Sequence, residues 1–351
     1  MVTHVFDSMV EKRKPTNNRL RLAIHTAGLL YLFGLAALLV ANRFLRQTSP
    51  FVALAGTFNV YLFLAALPLA FGLLLLRTRT ALATLILLAV LFLAAHRVLP
   101  PVSTVWPTRS EVDTITLMTF NLGWDVTPPD LLAQTIAASP ADIVAVQEVT
   151  PEAAAVLASE LAATYPYRIL DPSVGTTGLL SKLPIVSTQW LSPPNGRPFL
   201  HAVVNREGVE LHVFAIHFYP PGIVWWESLS LPRGLIETSL EGEVATLLQQ
   251  AAAVSGPVIV LGDFNMSDQS RAYAAMAASL QDSFREAGFG LGRTFPNNFR
   301  LAGVRVPFPL VRIDYVFHSP HLETTSARVN CIEGHSDHCA VLAALGVKTP
   351  R

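Results

Sequence analysis

Pro257-Val258-Ile259-Val260-Leu261-Gly262-Asp263-Phe264-Asn265 is an apolar run that stops at a glycine and delivers an acid and an amide two positions apart. A run this short, with no polar alternation, describes a strand buried on both faces. Outward from it the same design repeats. Residues 114–120 run into Asn121, residues 142–147 into Glu148, and residues 210–217 end on His217. A strand over 312–317 carries Asp314, while Asp337 and His338 stand just before a last strand at 339–344. Further strands are expected at 167–170, 177–181, 185–190 and 202–205. Helical spacing marks 130–138, 151–163, 241–253 and 272–280. Many strands with few intervening helices predict an α/β (α+β) domain of two packed sheets with helices outside.

Sheets often present their strand ends as one rim, so these polar residues can converge. Singly each has a structural explanation: a turn at Asn121, a helix cap at Glu148, an Asx turn at Asp263 and Asn265. A core histidine explains His338 alone. Together they form one chemistry, phosphodiester cleavage with a hard divalent metal. Glu148 and Asn121 offer oxygen ligands of the kind Mg²⁺ accepts, and Mg²⁺ keeps waters rather than demanding a closed protein cage. Asp263 with Asn265 can orient a water and hold a phosphoryl oxygen. A histidine beside a carboxylate can donate to the anionic transition state. The chain has no His-x-x-x-His or thiolate pair at zinc spacing, no Gly-rich phosphate loop and no Gly-x-Ser-x-Gly elbow.

Six ordered blocks carry a resemblance. They are Thr119-Phe120-Asn121, Asp142 to Glu148, Gly178 to Ile185, Gly262 to Asn265, Arg312 to Val316, and Ser336-Asp337-His338. Over about residues 113–346 the chain resembles the endonuclease/exonuclease/phosphatase superfamily, which includes pancreatic deoxyribonuclease, AP endonucleases, neutral sphingomyelinases and inositol polyphosphate 5-phosphatases. The resemblance implies a four-layer sandwich, two central sheets flanked by helices, with Mg²⁺ or Mn²⁺ as cofactor. It implies Glu148 as main metal ligand, with Asn121 beside it and Asp337 helping. It implies that Asp263 positions or deprotonates the attacking water and that Asn265 holds the water or the phosphate. His338 would contact the scissile phosphate and Asp314 would orient it. His217 is similar to the second histidine of the deoxyribonuclease and sphingomyelinase branches. AP endonucleases carry a further acidic ligand two residues after the first motif's asparagine; here that place is Gly123, which favours the other branches.

The rest of the chain has a different composition. It has 351 residues, 51% of them hydrophobic and only 14% charged, which excludes a wholly soluble protein. Asp7 and Glu11 are the only acids before Glu111. Three apolar runs fill that acid-free third and predict transmembrane helices at about 20–41, 51–76 and 80–99. Lys12, Arg13, Lys14, Arg19 and Arg21 place residues 1–19 in the cytoplasm. Three crossings then put the domain at 113–348 outside, behind a tether over 100–112 containing Pro100, Pro101 and Pro107. Arg43 and Arg46 in the first loop work against this orientation, as do Arg77 and Arg79 for it, and a third run that fails to span would leave the domain cytoplasmic.

A multi-pass membrane phosphodiesterase is therefore expected, its partners a lipid bilayer at the helices and a phosphodiester substrate at the site. Nucleic acid is the first substrate class and a phospholipid headgroup the second, with a phosphatase as a further alternative. No protein partner is inferable. A catalytically silent binding module of the same fold is the alternative of another class, but Glu148, Asp263, Asn265 and His338 are all present. Equal numbers of basic and acidic residues exclude a global basic field. Arg293, Arg300, Arg305 and Arg312 either line a phosphate groove or belong to an ordinary solvated loop. Trp225 and Trp226 suit core or lid packing, a lipid interface or a stacking platform. Cys331 and Cys339 flank the Ser-Asp-His block, and two cysteines cannot build a four-thiolate zinc site.

Overall fold

The computed structural model describes residues 16–75, 81–96, 114–124, 127–228, 231–298, 300–301, 304–331 and 336–348. The expected tether, Lys12 to Lys14, and Arg77 and Arg79 lie outside the described residues. The chain divides into two units, residues 1–41 with 59–96 and residues 42–58 with 97–351.

The first unit is helical. It contains most of α1 (Thr16–Leu45), together with α3 (Asn59–Leu75) and α4 (Ala81–His96). Leu32, Leu35, Phe63, Ala66 and Leu88 form a small buried cluster, and the Tyr31 hydroxyl donates to the Leu62 carbonyl at 2.8 Å. Outward-facing Leu30, Phe33, Phe71 and Leu82 are each at least 60% exposed, an apolar surface that water does not stabilise. Among the described residues one helix, Leu22–Leu45, is long and apolar enough to cross a membrane, and the pair Pro50–Thr57 and Asn59–Gly72, bent by 65°, is so only when taken together.

The second apolar run is not one helix over 51–76. It is divided at Phe58 into α2 (Pro50–Thr57) and α3, and α2 belongs to the second unit. The local sequence explains the start of α2: the Ser49 hydroxyl accepts from Val52 N–H, and Pro50 occupies the first turn. Its burial then explains the division. Val52, Ala53 and Gly56 are buried, and Gly234 passes so close to Pro50 that a Cβ there would lie 2.5 Å from the Pro50 side chain. The third run is shorter than expected among the described residues. Its helix α4 has 16 residues, about 24 Å at 1.5 Å per residue.

The second unit is built on two six-stranded sheets. The first has the order β15 (Leu322–Asn330), β16 (Ala340–Val347), β1 (Thr114–Asn121), β2 (Ile143–Gln147), β4 (Thr177–Ser181), β3 (Tyr167–Ile169). The second has the order β11 (Gln281–Asp282), β14 (Asp314–His318), β10 (Val258–Asp263), β7 (Val209–His217), β6 (Phe199–Arg206), β5 (Ile185–Leu191). Their inner faces meet in one core. Leu117, Ile143 and Leu179 from one sheet join Val213, Ile259, Leu261 and Val316 from the other. Because strand side chains alternate, Met118, Phe120, Val144 and Val146 face outward. They are covered by α5 (Pro129–Ala137) and α6 (Pro151–Glu160) through Leu132, Ile136 and Leu157. Phe214, Ile216 and Val260 likewise face α7 (Thr238–Ala253) and α8 (Arg271–Ser279) through Leu240, Leu247 and Met276. This is the expected four-layer sandwich. Burial on both faces accounts for the unbroken apolar character of β2 and β10, which misses the alternation of a half-exposed strand.

The remaining described elements are α9 (Ser283–Ala287), a hairpin of β8 (Gly222–Trp226) and β9 (Leu231–Ile236), and a ribbon of β12 (Arg300–Leu301) and β13 (Val304–Arg305). The ribbon pairs Arg300 with Arg305. Arg312 does not line a groove with them. It is buried, ion-paired to Asp282 and stacked on the Tyr315 and Phe284 rings.

Candidate active site

Strand register brings the polar residues together. In the second sheet Asp263 stands opposite His217 on parallel β7 and opposite Asp314 on antiparallel β14. In the first, Asn121 stands opposite Gln147 on parallel β2, which places Glu148 one residue beyond the strand end. His338 precedes β16, whose Val341 pairs with Thr119 on β1. Both sheets thus end on one rim, and Asn121 spans the gap between them. Its Nδ2 donates to Asp263 Oδ2 at 3.0 Å and to Glu148 Oε1 at 3.2 Å.

Two site residues sit in left-handed backbone, Glu148 at φ 59° and Asn265 at φ 49°. Such conformations are costly for residues with a Cβ and gather where function demands them. Gly123, at φ 71°, turns the chain so that its own N–H meets Asn121 Oδ1 and the Trp124 N–H meets Glu148 Oε2 at 2.8 Å. Gly262 permits a close approach: a Cβ there would lie 2.0 Å from the Ile216 carbonyl oxygen. Beyond it the Asn265 N–H donates to Asp263 Oδ1 at 2.8 Å, and Asn265 Nδ2 donates to the Phe218 carbonyl at 2.9 Å.

His338 Nδ1 lies 3.0 Å from Asp314 Oδ2, and its Nε2 lies 3.9 Å from Asp263 Oδ2. Burial works against the charged imidazole, yet Asp314, Asp263 and Asp337 together push it up to about 10. Burial and the neighbouring Asp314 carboxylate raise Asp263 to about 7, against the pull of His338 and the Asn265 and Asn121 donors. Glu148 is also raised, first by burial and further by Asp337, against hydrogen bonds from Asn121 and Trp124. His217 is driven well below its ordinary value by burial, then by Arg197 and His338.

The donor set fits a hard divalent cation. Glu148, Asp263, Asp314 and Asp337 concentrate negative charge, and Asp337 and Asp314 each keep one buried carboxylate oxygen with no hydrogen-bond partner among the described residues. Asp263, Asp314 and His338 place one ligand atom each within 4.8 Å of one another. However, the His338–Asp314 pairing at 3.0 Å suits proton transfer, whereas Glu148, whose Oε1 is 3.8 Å from His217 Nε2, and Asp337 offer oxygen donors outside that pair. Asn121 is here a bridging donor, and serving as an oxygen ligand requires its amide to turn over.

All eight residues singled out in the sequence lie in this unit; the contacts above link six of them, and His217 Nε2 lies 3.8 Å from both Glu148 Oε1 and Asp263 Oδ2. Asp337 is joined through its electrostatic effect on Glu148 and His338. Arg197 was missed. Its Nη1 lies 2.6 Å from His217 Nε2, and its guanidinium stacks over the Tyr219 ring at 4.8 Å. It stands in the loop Pro193-Pro194-Asn195-Gly196-Arg197, which carries no motif. Glu243, a buried acid on α7, was also missed; it accepts from the Arg197 and Tyr219 N–H groups. Beside Glu148 opens a cavity of about 330 Å³ lined also by Gly123, Thr150 and Glu152.

Cys331 and Cys339 are joined in a disulfide that closes the segment containing Ser336, Asp337 and His338. The Ser336 hydroxyl donates to the Asn121 carbonyl at 2.6 Å and accepts from the His338 N–H at 2.9 Å.

Solved structures share this fold. An endonuclease/exonuclease/phosphatase from Bacteroides vulgatus aligns with a TM-score of 0.54 at 19% identity, covering 67% of this chain and 99% of its own. A mannosyl-6-phosphatase from Bacteroides thetaiotaomicron gives 0.51 at 19%, covering 66% and 99%. TDP2 from C. elegans gives 0.52 at 15%, covering 68% and 77%. No curated protein matches the chain. The family profile described as Endonuclease/Exonuclease/phosphatase family matches residues 118–338, and the chain belongs to that family of hydrolases acting on phosphoester bonds.

Proposed function

We propose that the protein is a membrane-tethered, divalent-metal-dependent phosphodiesterase whose catalytic domain faces the extracytoplasmic side, with nucleic acid as its first substrate class. The observation that carries the hydrolytic reading is the rim itself: Asn121 joins Glu148 to Asp263 while His338, backed by Asp314, stands beside Asp263.

Glu148 and Asp337, with Asn121 turned over, would hold the ion. When bound, Mg²⁺ or Mn²⁺ supplies charge neutralisation at the phosphate. Asp263 receives the proton of the attacking water, its basicity raised by burial and by Asp314. Asn265 fixes Asp263 through its backbone N–H and keeps its carbonyl oxygen for the water or the phosphate. His338, protonated and buried, donates to the phosphoryl oxygens as charge develops there. His217 stays neutral against Arg197, which adds a fixed positive charge near the phosphate.

Two observations support the topology. Residues 42–58 fold with the catalytic unit, and the chain between them passes through α3 and α4. In a bilayer those helices must cross as a pair or not at all, and their 17 and 16 residues stand near the shortest span length of about 17. The Cys331–Cys339 disulfide suits an oxidising compartment. A phospholipid headgroup is the second reading, favoured by the β8–β9 hairpin, whose Ile223, Trp225, Trp226 and Leu231 are about half exposed.

The test is hydrolysis by the full chain in detergent, with plasmid DNA, mixed phospholipid vesicles and a phosphomonoester compared with and without EDTA. Metal-dependent nicking supports the first reading and vesicle hydrolysis the second. Absence of turnover on all three, in folded protein, removes both.

A further inference from the structure

A buried arginine far from the catalytic motifs in sequence is tied to the loop that carries Asp263 and Asn265. Arg46 follows the last turn of α1, and its side chain has no exposed surface. Its Nε and Nη2 grip Glu237 at 2.7 and 2.6 Å, a two-pronged pairing. The same Nη2 reaches Thr57 Oγ1 at 2.8 Å and Ser267 Oγ at 3.3 Å, and Nη1 donates to Asn42 Oδ1 at 3.0 Å. Asn42 in turn donates to the Gln269 carbonyl at 3.2 Å. Gly56 makes room: a Cβ there would lie 1.9 Å from Asn42 Oδ1.

The two elements that Arg46 holds flank the site. Ser267 closes the loop that begins at Asp263 and Asn265. Glu237 stands at the head of α7, whose Glu243 fixes the backbone at Arg197 and Tyr219. Asn265 joins the two from the inside, donating to the Phe218 carbonyl. A fully desolvated guanidinium is costly to bury, and such a charge persists where its geometry is needed.

We propose that Arg46 is a positioning residue of the active site: through Ser267 and Glu237 it makes the geometry of the Asp263–Ser267 loop depend on the segment 42–58. The effect on turnover rests on the hydrolase reading above, but the coupling itself does not. It also means that a fragment starting at residue 100 lacks part of its own catalytic unit.

The experiment uses the full chain in detergent with Mg²⁺ and bis(p-nitrophenyl) phosphate, comparing wild type with Arg46→Ala, Arg46→Lys, Ser267→Ala and the Arg46→Ala/Ser267→Ala double variant. Misplacing a reacting group by a fraction of an ångström to 1 Å costs about 10- to 100-fold in rate. We expect Arg46→Ala to lower kcat by that order with KM within about twofold, Ser267→Ala to reproduce part of the loss, and the double variant to add nothing to Arg46→Ala. Hydrogen exchange across residues 264–270 should quicken in both single variants. Unchanged kcat and unchanged exchange in a folded Arg46→Ala, or independent losses in the double variant, would overturn the proposal. If Arg46→Ala does not fold, Arg46→Lys and Ser267→Ala decide it by the same two readouts. A wild-type chain that hydrolyses nothing counts against the proposed function, and exchange alone then decides the coupling.

Discussion

The Nδ1 atom of His338 stands 3.0 Å from Oδ2 of Asp314, both side chains buried, one from the segment before β16 and the other from β14 of the opposite sheet. This contact ties the two sheets together at the rim and fixes which histidine nitrogen faces Asp263. Its consequences can be measured.

Asp314→Asn removes the charge that holds the imidazolium. With Asp314 present His338 keeps its proton up to about 10; without it burial loses its largest opponent, only Asp263 and Asp337 remain against it, and the histidine deprotonates at lower pH. The alkaline limb of the kcat profile should move to lower pH, and kcat at pH 8 should fall by about 10²- to 10⁴-fold. An unmoved alkaline limb would show that another group sets it.

Glu148→Gln keeps the shape and removes one charge of the oxygen set. We expect Mn²⁺ affinity, read by calorimetry, to fall by at least about tenfold, with the thermal midpoint without metal unchanged or raised. Loss of a raised, buried carboxylate relieves repulsion with Asp337.

Asp282→Asn tests the packing beneath the site. Burial raises the Asp282 carboxyl, but Arg312 and the donors around it win, leaving it below its ordinary value. A depressed carboxyl contributes stability that is present above the unfolded pKa, near 3.9, and is lost as pH falls through the folded one. The variant should lose about 3–5 kcal/mol at pH 7 by leaving Arg312 unpaired. The gap between variant and wild type in denaturant titrations should close below about pH 4.

Replacing Cys331 and Cys339 together by serine opens a closure of sequence separation 8. Chain entropy alone predicts a loss of about 2–3 kcal/mol for a loop of this size. In protein taken from intact membranes, both cysteines should resist alkylation until a reductant is added. Ready labelling of either thiol in folded protein would contradict the pairing and weaken the extracytoplasmic placement.

Much of the site was legible because strand chemistry is local. The unbroken apolar runs of β2 and β10 announce burial on both faces, and their polar ends announce a rim. Thr177–Ser181 was expected as a strand and is β4. Less legible were β15, whose polar, partly exposed residues lack a clear period, and the β8–β9 hairpin, of which only Trp225 and Trp226 stood out in the sequence. Arg312 does not line a groove for a physical reason: an arginine at the head of an expected strand gives no sign of a buried partner 30 residues away.

By itself the sequence determined the acid-free apolar third and the two-sheet fold and offered Asn121, Glu148, His217, Asp263, Asn265, Asp314, Asp337 and His338 as candidates, since hydropathy and motif are properties of short windows. Only the tertiary structure decided that Asn121 bridges two carboxylates, that Arg197 and Glu243 belong to the site, that the second apolar run is divided at Phe58, and that Arg46 packs with the catalytic unit. Those are matters of register, sheet stacking and desolvation between residues up to about two hundred positions apart, and no local pattern encodes which distant partner a buried charge will find.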